Sequence, residues 1–171
     1  MKVAIVGSRR YENKRKIKEF IFKLKEEYGT DTIIVSGGCK QGADKYAKKY
    51  ALELGLQYEE YPPFHEVHNL YCKMPESRYG KEFSMKNFFA RNKIIAGTSD
   101  FIAAFIPEGI EAKGTKNVLE YYFNNPHANS FKIIQEKFDV DEIRVRKILN
   151  KEFKRRYENS LARKYSNLWT L

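Results

Sequence analysis

The chain has little of what several large protein classes require. In 171 residues there are two cysteines, five prolines and one tryptophan. No apolar run approaches the roughly 18 residues that a membrane span demands, so no membrane partner is expected. Cys39 and Cys72 are too few and too isolated for a disulfide framework and suit a reducing compartment. The sequence enters a strand-like segment at Lys2 without the apolar stretch of a signal peptide. A cytoplasmic location is the expectation. The spelling GxxxxGK[ST] is missing, which argues against a magnesium-dependent P-loop, and so is GxGxxG. His65, His68 and Cys72 lack a fourth partner and zinc-like spacing. No metal and no cofactor are expected.

What is present is globular, basic and glycine-punctuated. Hydrophobic residues make up 42% and aromatics 15%, enough for a packed core rather than a disordered chain. Lysine and arginine number 32 against 22 acidic residues, a net charge of +10 that attracts anionic small molecules or polyanions.

Three apolar runs end in glycine and pass directly into helical patterns. Lys2–Val6 leads to Gly7-Ser8-Arg9-Arg10. Thr32–Val35 leads to Ser36-Gly37-Gly38 and then Gly42-Ala43-Asp44. Asp100–Ile106 leads through Pro107, Glu108 and Glu111 to Lys113-Gly114-Thr115. Glycine permits positive φ and close approach of a ligand, and a helix start offers unpaired N–H groups and a positive dipole end that suit phosphate. The alternative at each turn is tight packing with no ligand.

Between these turns the spacing predicts helices over 13–28, 43–55, 84–97 and 114–124, stopped by Gly29, Gly55, Gly97 and Asn125-Pro126. Strands are expected at 32–36, 56–61, 100–106 and 130–135, with 100–106, the most apolar, in the centre. Residues 62–84 break the rhythm as a proline- and aromatic-rich insertion, a lid or binding loop. The βαβ order argues a Rossmann-like α/β three-layer sandwich with a mostly parallel sheet of about five strands. The expected organisation is a nucleotide-binding domain over 1–138 and a basic helical extension over 139–171, whose aromatic tail would suit a homodimer.

If the strands are parallel, all three turns share the carboxyl edge, where open α/β sheets bind ligands. Arg9, Lys113 and the amides of Gly37, Gly38, Gly114 and Thr115 are candidate phosphate holders, and Gly7, Ser36 and Gly42 of the same turns are candidate ligand-binding residues. Ser8, Asp44 and Asn92 are candidates for a sugar or base, and Ser8 alternatively caps the next helix. Arg91 lies within a helix, where a solvated arginine is the default; as a candidate ligand-binding residue it would instead stabilise the glycine loop or touch phosphate.

The ordered set Gly7-Ser8-Arg9 with Tyr11, Ser36-Gly37-Gly38, Gly42-Ala43-Asp44, Arg91-Asn92, Asp100 and Lys113–Asn117 resembles the YspA-type branch of the SLOG superfamily. That group includes the DNA-processing A proteins and the Lonely-guy phosphoribohydrolases. The resemblance implies a nucleotide or nucleotide-derived ligand on the glycine loops. It leaves open N-glycosidic cleavage of a nucleoside monophosphate, and single-stranded nucleic-acid binding. The sequence departs from the hydrolases: where their PGGxGTxxE places a catalytic glutamate, this chain has Val118, and Glu120 lies two residues on, about 200° round a helix. Asp44, Glu108 and Glu111 remain as candidate replacement carboxylates.

Overall fold

The computed structural model describes residues 1–107, 110 and 112–125. Four parallel strands, β1 (Lys2–Gly7), β2 (Ile33–Ser36), β3 (Gln57–Glu60) and β4 (Phe101–Phe105), lie in the order β3-β2-β1-β4. Four helices connect and follow them: α1 (Lys14–Tyr28), α2 (Gly42–Glu53), α3 (Met85–Thr98) and α4 (Lys113–Asn124). A single 3-10 turn, Glu76–Arg78, interrupts the insertion after β3.

Alternation along the strands builds two cores, because successive side chains point to opposite faces of a sheet. Val3, Ile5, Ile34 and Phe105 pack against Ile17, Phe20, Ile21 and Leu24 of α1 and Ala43, Ala47 and Ala51 of α2. Ala4, Val6, Val35 and Ile102 face the other way, against Ile95 and Ala96 of α3 and Val118, Leu119 and Tyr122 of α4. The result is the three-layer α/β/α sandwich with a parallel sheet. The chain runs outward from β1 to β3 and then returns past β1 to β4, so the strand order reverses between β1 and β4. A crevice opens at the carboxyl ends of strands at such a reversal.

The element ends follow local chemistry. Asn13 caps α1, its side chain accepting the Lys16 N–H at 3.1 Å, and Ser84 caps α3 by accepting from Lys86 at 3.2 Å. The insertion is tied back to β3 by backbone bonds from Glu60 N–H to the Tyr71 carbonyl (2.9 Å) and from Lys73 N–H to the Glu60 carbonyl (3.2 Å).

Several expectations are corrected. The described sheet has four strands rather than about five; the segment expected as a fifth, 130–135, lies outside the described residues, as does the extension at 139–171 with the boundary proposed for it. Among the described strands the most apolar, β4, lies at one edge, with β3 at the other, rather than in the centre. Its apolarity reflects helices on both of its faces, with Phe101 and Phe105 against Phe20 and Ile102 against the α3–α4 side. Gly97 does not stop α3, which runs to Thr98; Thr98 and Ser99 hydroxyls then donate to the Ile94 and Ile95 carbonyls at 2.9 and 2.8 Å. Ser8 caps no helix; its hydroxyl accepts the Arg10 N–H within the loop at 3.1 Å.

The contact that sets the carboxyl edge is between Gly42 and the β1–α1 loop. Gly42 has φ +63°, and a Cβ there would run into the Ser8 carbonyl oxygen and come within 2.6 Å of Arg9 Cα. Gly29 has a similar φ, +77°, with open space around it. Gly29→Ala should therefore cost about 1–3 kcal/mol from backbone strain alone, since its ψ of −174° lies in a region kept to glycine, and Gly42→Ala should cost more, since steric displacement is added. Urea unfolding of the two variants measures the gap; equal losses would remove the close approach as the cause.

Candidate functional site

A cavity of about 850 Å³ opens at the reversal between β1 and β4. Its floor is the end of β1, Val6 and Gly7, continued by Ser8, Arg9 and Arg10. The β2–α2 turn contributes Gly37, Cys39, Gln41 and Asp44. Helix α3 contributes Arg91, Asn92 and Ile95, and the start of α4 contributes Lys113, Gly114, Thr115 and Val118. Three separately predicted loops thus meet on one rim, together with Arg91-Asn92.

Not every candidate faces the opening. Ser36 is fully buried beneath the loop: its hydroxyl lies 2.6 Å from the Tyr58 hydroxyl and accepts the Gly38 N–H at 3.1 Å. Gly38 sits against Pro62 and Glu60, and Gly42 against the Ser8–Arg9 backbone. Tyr58 in turn donates to Glu60 at 3.0 Å, and Glu60 takes Lys48 at 3.1 Å and the Asn69 amide. This buried network joins the glycine turn to the insertion. Burial, reinforced by the Glu60 charge, pushes the Tyr58 hydroxyl well above its ordinary pKa.

The glycine turn also spends its amides internally. The Cys39 N–H donates to Asp44 Oδ2 at 3.1 Å, and the Gly38 N–H donates to the Ser36 hydroxyl at 3.1 Å. The expectation that the Gly38 amide faces an anion is corrected: a short polar side chain in the same loop has taken it, as Ser and Asp commonly do. What Gly37 provides is space. A Cβ there would collide with Arg91 Nη1 and lie 2.7 Å from Cζ, so the absent side chain lets the guanidinium lie against the backbone. Arg91 is accordingly not a solvated helix residue; its Nε is sealed from solvent without a partner among the described residues. Burial lowers its pKa from the ordinary value, and the Asp44 charge opposes that. Burial likewise raises the Asp44 carboxyl, opposed by Arg91 and the loop amides.

Donors remain on the opposite side. Helix α4 begins at Lys113 with no side-chain cap from Ala112, and the first amides of a helix have no partner within it. Asn92 is buried and donates to the Gly114 carbonyl at 3.4 Å and to Asn117 Oδ1 at 3.0 Å, fixing this helix start rather than presenting its amide to the opening. Arg9, Arg10 and Lys113 are exposed around the same rim. Of the candidate carboxylates, Glu108 and Glu111 lie outside the described residues. Val118, in place of the hydrolase glutamate, lines the cavity.

The aromatic wall was missed. Phe83, Met85, Phe88 and Phe89 line the mouth. Phe83 closes the insertion and the other three lie on the first turns of α3, where an apolar pattern reads equally well as core. The one available signal was their density, four large apolar residues in seven positions. His65 packs edge-on against Phe83 and Phe88, with centroids 4.8 and 5.0 Å away, which is a packing role. No cluster of three metal-ligating residue types occurs among the described residues, and no described helix is long and apolar enough to cross a membrane.

Residues 1–68 match the model of the YspA, cpYpsA-related SLOG family, so the resemblance carried by the first two glycine turns is shown over that stretch. The fold is similar to that of the molybdenum cofactor binding protein from the phototrophic bacterium Rippkaea orientalis, with a TM-score of 0.54 over 83% of each chain at 14% identity. That likeness concerns the fold alone. No curated protein matches the chain.

The Asp44 shift has a pH consequence. A carboxyl whose folded pKa is raised holds its proton more tightly in the folded state, so stability falls as pH rises from about 4, the unfolded value, through the folded one. Between about pH 4 and pH 7 the native chain should lose stability relative to Asp44→Asn. Chemical unfolding across that range checks this, and parallel profiles would show that Asp44 is not perturbed by burial.

Proposed function

We propose that this chain, a YspA-related SLOG protein over its first 68 residues, binds a nucleotide or nucleotide-derived phosphorylated ligand at the carboxyl edge of its sheet. The observation that carries the reading is the cavity at the β1–β4 reversal, where the uncapped start of α4 meets Arg9, Arg10 and Lys113. Helix amides and dipole favour an anion, and arginine forks match phosphate oxygens. Phosphate is therefore assigned to the Gly114–Thr115 amides, Lys113 and Arg9. Ser8 lies beside it. Asp44 and Arg91 form the polar back wall between them.

The cavity volume is in the upper range of small-molecule sites and accommodates a ligand of nucleotide size. The neighbour of similar fold is named for binding the molybdenum cofactor, which supports a small-molecule site on this fold. N-glycosidic cleavage ranks second. It requires a carboxylate at the sugar, and Asp44, the described candidate, is already engaged by the Cys39 amide. Single-stranded nucleic-acid binding would use the basic tail and the aromatic-rich 62–84 loop; it ranks third, because the tail lies outside the described residues and Phe83 of the loop faces the concave opening. A second copy of the chain as partner belongs to the aromatic tail, outside the described residues.

Titration calorimetry with nucleoside monophosphates and the matching nucleosides tests the reading. Nucleotides should bind and nucleosides should bind more weakly, and Arg9→Ala should remove roughly 2 kcal/mol from nucleotide affinity, the scale of a hydrogen bond to a charged group, while costing nucleosides much less. Equal affinity for both ligand types would sink the assignment. Chromatography of the same mixtures for released base separates binding from cleavage.

A further inference from the structure

Large apolar side chains normally leave water when they can, yet the mouth of this cavity keeps several in it. Phe83 is 70% exposed, Met85 58% and Phe89 45%. They stand next to Phe88 in the lining of an opening that also carries Arg9, Arg10, Asp44, Arg91 and Lys113. An exposed apolar patch with a polar rim marks a binding surface. This one is also built rather than loose. His65 sits edge-on to both Phe83 and Phe88, its Nδ1 lies 3.4 Å from the Asn87 amide, and the Phe83 and Phe88 rings meet edge-on at 6.3 Å. Arg9, already assigned to phosphate, places its guanidinium 6.0 Å from the Phe88 ring centre.

On the reading of the site as a phosphate binder, we infer that this aromatic corner is the second half of the same site and receives a flat heteroaromatic ring covalently joined to the phosphate. The chemistry that fits is a ring stacked on Phe88 or Phe89, with Arg9 bridging the two halves by touching both the phosphate and the aromatic face. Guanidinium groups stack on aromatic faces as well as pairing with anions. A purine and a pterin share this chemistry. A sugar phosphate or inorganic anion would leave the corner wet.

The test uses the full chain and three probes: ribose 5-phosphate, which has no ring; 2-aminopurine riboside 5′-phosphate, whose emission is quenched by stacking; and a phosphorylated pterin. Both ring compounds should bind roughly tenfold or more tightly than ribose 5-phosphate, on the scale of aromatic stacking, and the aminopurine should be quenched on binding. The better of the two ring compounds identifies the source. Phe88→Leu combined with Phe89→Leu keeps apolar volume but removes the stacking faces; it should abolish most of the quench and the ring-dependent gain, weakening the ring compounds far more than ribose 5-phosphate. Equal affinity for ringed and ringless phosphates overturns the corner as a ring site and leaves the phosphate reading standing. So does a gain that survives the double substitution. If none of the three binds, both readings fall.

Discussion

At the carboxyl edge two loops touch with no side chain between them, and most of the site's geometry depends on that contact. The Ser8 carbonyl accepts N–H groups from Tyr11 at 3.1 Å and Ala43 at 3.3 Å, so one oxygen holds both its own loop and the first turn of α2. Gly42 makes the approach possible by offering neither a Cβ nor a barrier to positive φ. The Ser8 N–H meanwhile donates to the Phe105 carbonyl at 3.0 Å, which extends the β1–β4 pairing one step beyond the sheet. Loops from three strand ends are thereby referred to a single residue. Arg9 and Arg10 follow Ser8 directly, so their positions inherit that rigidity.

The second glycine turn has a different task from the one its spelling suggests. Its N–H groups are turned inward to Ser36 and Asp44, and its Cβ-free backbone is turned toward Arg91. Buried polar groups must be satisfied, and a loop that supplies its own acceptors is stable with no ligand present. The same loop then sets a guanidinium and a carboxylate side by side, each opposing the desolvation of the other. Arg91 is held against the loop backbone beside Asp44, whereas Arg9, Arg10 and Lys113 are exposed at the rim, so these three are the cations open to an approaching anion on the proposed reading.

Much of this was legible in the sequence for a simple reason: a β-branched run followed by glycine and then helical periodicity is a local signal, and a parallel sheet gathers such turns on one edge. That argument gave the layers, the order of elements and the rim bearing Gly7, Gly37 and Gly114. What failed depended on neighbours distant in sequence. Arg91 reads as solvated in isolation, and only Gly37, 54 positions away, makes room for it against the loop backbone. The direction of an amide depends on which acceptor lies beneath it, so Ser36 and Gly38 looked like ligand groups. The apolarity of β4 registered that both of its faces are covered, which is not the same as being central. Phe88 and Phe89 carried no mark distinguishing a wall from a core.

The combination of a positively charged rim and an aromatic wall also explains why the basic net charge need not signify a polyanion. A groove that tracks a nucleic-acid backbone distributes cations along a line, with aromatics interleaved at intervals. Here the cations and rings converge on one concave opening. Arg9 belongs to both groups, since its guanidinium lies by the Phe88 ring while its backbone is fixed by the Gly42 contact. Long-range charge would raise the local concentration of any anion near such a mouth. Discrimination among those anions then falls to the walls, which favour a compact molecule carrying charge at one end and a plane at the other.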